Sequence, residues 1–144
     1  CNSRLDSIQA AILNIKLSHL DSYADSRNKM AKSYDESFLE IPELSIPKRQ
    51  YNSTHVFHQY TLKVVPELRS SLIDFLKENK IPVMIYYPVP LYKQEAFSNN
   101  VSSSFTIENV EKLCSSVFSL PIHTEHENSS QEFIINKIKE FFNK

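Results

Sequence analysis

Over residues 4–16, RLDSIQAAILNIK, the apolar positions fall three and four apart. Leu5, Ile8, Ile12 and Ile15, with Ala11 between them, form the stripe of an amphipathic helix. Ser3 is placed to cap it, and Asp6 three residues on is a weaker form of the capping-box acid. Ser18 interrupts this pattern, and a second helical stretch runs from about His19 to Phe38, with Tyr23, Met30 and Tyr34 as its apolar contacts. Pro42 and Pro47 mark a connector, because proline disfavours helix at its own position and at the one before it.

From His55 to Val65 the period changes to two. Val56, His58, Tyr60, Leu62 and Val64 share one face and Gln59, Thr61 and Lys63 the other, which predicts a half-buried strand. Pro66 suits the first turn of a helix to about Asn79, burying Leu68, Leu72, Phe75 and Leu76. Ile81 to Tyr86, between Pro82 and Pro88, reads as a second strand. Pro88 to Phe105 reads as a loop with one turn at Tyr92 to Phe97. Thr106 opens a helix through Cys114, Val117 to Leu120 is a third strand, and Ser129 with Glu132 forms a capping box for a last helix carrying Phe133, Ile134, Ile138, Phe141 and Phe142. The pattern implies an α+β domain: a small, mainly antiparallel sheet of three or four strands with helices on one face. Val56, Tyr60, Leu62, Leu72, Leu76, Val83, Ile85, Leu113, Ile134 and Ile138 are its expected core.

The 144 residues suit one domain, large enough to fold without metal or disulfide. With 41% hydrophobic residues, 23% charged and a net charge of −1, the chain is neither disordered nor basic enough to suggest nucleic acid. Its apolar runs are too short for a membrane span or a secretory segment. Glycine is absent altogether, which rules out a Walker loop, a GxGxxG loop and a GxSxG elbow within the chain. It starts at Cys1 directly in front of a helical pattern, and is expected to be part of a longer protein.

Few residues suggest chemistry. His55 and His58, on opposite faces of a strand, do not share a metal; His123 and His126 lack partnering ligands; Cys114 sits at an apolar helix position as a core thiol. No metal site is expected. Two clusters stand out. Asn2-Ser3-Arg4 is a set of polar donors at a helix start, where free backbone N–H groups favour anions, although a plain solvent-exposed cap explains it as well. Tyr86-Tyr87-Pro88 lies where a loop leaves the sheet, suited either to a ligand wall or to packing.

Four blocks, NSRLDSIQAAIL at 2–13, HVFHQY at 55–60, IPVMIYYPVPLYKQEAF at 81–97 and SLPIH at 119–123, resemble in order the C-terminal part of the DegT/DnrJ/EryC1/StrS family. The members are pyridoxal-phosphate sugar aminotransferases of the aspartate-aminotransferase (type I) fold. The resemblance implies that residues 1–144 are the small C-terminal domain. The N-terminal domain that carries the Schiff-base lysine is not in this chain, so no catalytic residue is assigned and the chain alone is expected to be inactive.

The resemblance also gives Asn2 and Arg4 a role across a homodimer interface, with Asn2 towards the cofactor phosphate, and places Tyr86, Tyr87, Pro88 and Tyr92 at the nucleotide-sugar site. Positions 86 and 92 are often His in the family and are Tyr here, and the glycine usual before this strand is missing. The implied activity is transfer of an amino group, usually from glutamate, to a nucleotide-linked keto-sugar in the cytoplasm, for amino-sugar or cell-surface polysaccharide synthesis. The alternatives are a sugar dehydratase of the same family and a non-enzymatic interaction module derived from it.

Overall fold

The computed structural model describes residues 4–97, 107–125 and 127–143. Five helices, α1 (Ser7–Leu17), α2 (Leu20–Phe38), α3 (Pro66–Glu78), α4 (Glu108–Ser116) and α5 (Asn128–Phe142), surround strands β1 (Leu44–Ser45), β2 (Tyr60–Val64) and β3 (Val117–Leu120). The sheet is antiparallel in the order β1-β2-β3. Leu44 pairs with Val64, Tyr60 with Leu120 and Leu62 with Phe118, so these side chains share one face and are buried. Tyr34 and Phe38 of α2, Leu72 and Leu76 of α3 and Ile134 and Ile138 of α5 complete the core over that face. On the opposite face Thr61 meets Ser119 across the strands, Oγ1 to Oγ at 2.8 Å.

The expected strand from His55 is shorter at its start. Phe57 has a left-handed backbone (φ 44°), a conformation non-glycine residues adopt at a cost of about 1–3 kcal/mol. The left-handed turn ends the pleat and shifts the parity. Phe57 enters the core at 2% exposure, while Val56 stands 53% exposed and His58 is also outside. Leu113, expected inside, is 46% exposed, because α4 covers the sheet through its other side. Val83 and Ile85 are half-buried against the core. The run from Ile81 to Tyr86 forms no strand, only a bridge between Met84 and Ser119. β1, in the proline-marked connector, was not expected.

Caps differ as well. Asp6, not Ser3, caps α1, its carboxylate accepting the Ile8 N–H at 2.7 Å. Ser3 and Thr106 lie outside the described residues. The Ser129/Glu132 box does not form: α5 begins at Asn128 after Glu127, and Ser129 Oγ reaches the Glu127 carboxylate at 3.4 Å instead. A chain with no glycine must end α3 otherwise. Lys80 takes the left-handed position beyond the helix (φ 60°), the Ile81 N–H donates to Leu76 O at 2.9 Å, and buried Ile81 seals the turn.

Candidate functional site

Three surfaces carry the residues in question. The first is the N-terminal end of α1. Arg4 is exposed and lies three residues before the helix, while Asn2 lies outside the described residues. Because Asp6 occupies the cap, a carboxylate already sits on the helix's first free N–H groups. Among the described residues the donor left for an anion here is therefore the Arg4 guanidinium, suited to phosphate, and not the helix N-terminus. α1 itself buries none of its residues: Ile8, Ile12, Leu13, Ile15 and Leu17 are all exposed, as is Leu5 just before it.

The second surface follows the Met84 bridge. Met84 donates to Ser119 O at 3.3 Å and accepts from Ser119 N at 2.7 Å, which pins this segment alongside β3. Beyond Ile85 come Tyr86 and Tyr87, rings edge to face at 6.0 Å, joined by a cis peptide bond. Tyr87 is 69% exposed and Pro88 is exposed beside it; Pro90 is buried and anchors the turn. Two short 3₁₀ turns follow, Leu91–Lys93 and Glu95–Phe97. Tyr92 faces α4: its hydroxyl donates to Glu111 Oε1 at 2.5 Å and accepts the Ile107 N–H at 3.1 Å. Lys93 pairs with the same carboxylate at 2.6 Å. The Lys93 ammonium and then the Tyr92 hydroxyl hold Glu111 below the usual carboxylate range; that carboxylate raises both Lys93 and Tyr92. What Tyr92 offers a ligand is thus its ring, since its hydroxyl is engaged. Among the described residues no hydrogen bond or ion pair joins Arg4 to this segment.

The third surface, which the sequence pattern does not single out, is an open cleft of about 810 Å³ beneath the strap from Pro47 to Thr61. Its wall is tied down. Arg27 Nε donates to Val56 O and Asn28 Nδ2 to His55 O, both at 2.8 Å. His55 Nδ1 accepts the Phe57 N–H at 2.9 Å, with the two rings 4.3 Å apart. The Arg49 guanidinium lies 4.5 Å above the Phe57 ring and pairs with Asp35, which also accepts the Tyr60 hydroxyl at 2.8 Å. His55 and His58 both line the cleft, so the opposite-faces reasoning fails once the strand stops short of them. Among the described residues no group of three or more metal-ligating side chains occurs.

The sequence profile of the DegT/DnrJ/EryC1/StrS aminotransferase family matches residues 1–139. The chain belongs to that family. It is 39% identical over 143 residues to a "Pleiotropic regulatory protein" of Geobacillus stearothermophilus, covering 98% of this chain and 38% of that protein. It is 35% identical over 140 residues to the dTDP-3-amino-3,6-dideoxy-alpha-D-galactopyranose transaminase of Aneurinibacillus thermoaerophilus, covering 97% and 37%. The crystal structure of S. venezuelae DesV in complex with a ketimine intermediate superposes with a TM-score of 0.93 at 29% identity, over 99% of this chain and 38% of DesV. The chain thus spans little more than a third of the length of these relatives, and its fold is that of their small domain. Family aminotransferases depend on pyridoxal phosphate. Among the described residues no helix is long and apolar enough to cross a membrane.

Proposed function

We propose that this chain is the small C-terminal domain of a pyridoxal-phosphate aminotransferase acting on a nucleotide-linked keto-sugar, with glutamate as amino donor, in a cytoplasmic homodimer that makes amino sugars. The observation that carries the reading is the near-complete superposition on DesV, together with relatives named as transaminases of dTDP- and UDP-linked sugars. Those names favour amino transfer over dehydration. They also favour an enzyme over a free-standing interaction module.

When bound, the cofactor supplies the electron sink through which an amino group is moved. The Schiff-base lysine belongs to the N-terminal domain in this reading, and this chain's share is binding and shape. Arg4, an exposed guanidinium, fits a phosphate, and with Asn2 it clamps an anion from the partner subunit's side. Exposed Tyr87 and Pro88, with Tyr86 and the Tyr92 ring behind them, wall the sugar side; an aromatic face suits a hexose and keeps water from it. The direct test is to incubate the complete protein with glutamate and a panel of dTDP- and UDP-linked keto-sugars, following product by mass spectrometry. An amino-sugar nucleotide is expected. No product across the panel, or loss of water in its place, overturns the reading.

A further inference from the structure

We propose that Glu111 is a positioning residue: by gripping Tyr92 and Lys93 it fixes where the exposed bow Tyr86-Tyr87-Pro88-Val89 stands. All four bow residues are exposed, and buried Pro90 closes the bow. Side chains that project into water pack too little to hold a segment still, so its order depends on how its ends are fastened.

Both ends are fastened to one piece of the chain. α4 runs into β3 with no residue between them, Ser116 being followed directly by Val117. Before the bow, Met84 exchanges two backbone hydrogen bonds with Ser119 of β3. Beyond it, Glu111 of α4 accepts from the Tyr92 hydroxyl at 2.5 Å and from the Lys93 ammonium at 2.6 Å. The same hydroxyl accepts the N–H of Ile107, the N-cap of α4. Arg69 of α3 donates to Cys114 O and ties α4 to the domain. The first fastening is made by backbone and tolerates many side chains. The second is made by side chains, and they converge on one carboxylate through charge-assisted bonds, which are about twice as strong as neutral ones. Where the aminotransferase reading holds, on which this last step rests, the bow walls the sugar side and Glu111 sets its position.

The bland alternative is that Glu111, with Glu108, is only an acid in the first turn of α4, favourable to the helix N-terminus. Three variants of the complete protein separate the two roles. Glu111→Ala removes both the acid and the grip. Glu111→Asp keeps the acid in the first turn but is one methylene too short for both partners. Glu108→Gln breaks an exposed pair with Lys112 on the same helix and serves as control. Amide hydrogen exchange is followed by mass spectrometry, and the N–H groups of Lys93, Gln94 and Phe97, bonded within the two turns, report on the grip. Exchange over 91–97 should quicken about tenfold or more in Glu111→Ala and Glu111→Asp, with 117–120 unchanged and α4 still protected in Glu111→Asp. Glu108→Gln should change none of these. The KM for a nucleotide-linked keto-sugar should rise about tenfold in Glu111→Asp, with a smaller change in kcat, because substrate must now order the wall. Unchanged exchange over 91–97 in both Glu111 variants, faster exchange confined to α4, or an equal effect of Glu108→Gln overturns the positioning role. Loosened turns with an unchanged KM overturn its bearing on the sugar. A wild-type protein that aminates no keto-sugar overturns the aminotransferase reading instead, and the exchange data then decide the role of Glu111 by themselves.

Discussion

Asp35→Ala tests whether the Asp35 carboxylate joins core and cleft. Asp35 accepts the hydroxyl of Tyr60, a fully buried residue, and pairs with Arg49, whose guanidinium lies over Phe57. Removing the carboxylate leaves a buried hydroxyl without its acceptor, at about 1–3 kcal/mol. It also loses a partly exposed ion pair, worth about 0–1 kcal/mol. The expected destabilisation is therefore about 1–4 kcal/mol, a melting shift of roughly 2–16 °C for a domain of this size. Tyr60→Phe removes the donor and orphans nothing of its own, so it should cost only about 1 kcal/mol. In the double variant no hydroxyl is left unsatisfied, so its cost should fall short of the sum of the two single costs by roughly 1 kcal/mol. Urea unfolding of the four proteins, followed by circular dichroism, reads all of this. Strict additivity, or an Asp35→Ala cost below about 0.5 kcal/mol, refutes the reasoning.

Further outcomes follow from the same geometry. With α1 burying none of its residues, the chain should self-associate through that helix, and Ile8→Asp with Ile12→Asp should return sedimentation to monomer; a clean monomer at the outset contradicts this. Burial pushes the Tyr34 and Tyr60 hydroxyls above the ordinary tyrosine value, with the Tyr60–Asp35 hydrogen bond adding to the second. Raised folded values mean that the stability is present below about pH 10 and is lost only as pH rises past it. Phenolate absorbance of these two should therefore appear together with unfolding; ionisation of every tyrosine at the ordinary value in a folded protein would count against their burial. In the complete protein, if it forms the proposed dimer, Asn2→Ala should weaken cofactor retention about ten- to a hundredfold, as expected for one charge-assisted hydrogen bond, and Arg4→Ala should act more on KM or turnover for the sugar. Equal small losses of melting temperature, with cofactor affinity and sugar kinetics unchanged, would make both residues mere helix-end groups.

The sequence was most legible where the local pattern and the tertiary packing agree. β2, β3 and the buried faces of α3 and α5 follow from apolar spacing, because Tyr60, Leu62, Leu72, Leu76, Ile134 and Ile138 pack on one shared core. The pattern misled where one residue changes the backbone path. Alternation reads Val56 and His58 as inward, but the left-handed Phe57 reverses the parity, a choice made by its aromatic and cationic neighbours and not by local propensity. β1 is two residues long and is defined by its pairing with β2, so no period could mark it. The tyrosine segment was legible as a motif, whereas the commitment of the Tyr92 hydroxyl to Glu111, nineteen residues on, was not. The cleft was invisible for a similar reason: its lining comes from a strap with no period and from Asn28 on α2.

The central claim is that this chain completes an enzyme that carries amino groups on pyridoxal phosphate. It is tested most directly by the half-reaction of the complete protein, loaded with pyridoxal phosphate and mixed with glutamate alone. The account predicts conversion of the bound cofactor to its amino form in proportion to enzyme sites, with release of one 2-oxoglutarate per site, and reversal when a nucleotide-linked keto-sugar is added. A protein that retains the cofactor yet gives no 2-oxoglutarate with glutamate, and whose amino-loaded form passes no nitrogen to any nucleotide-linked keto-sugar, contradicts it.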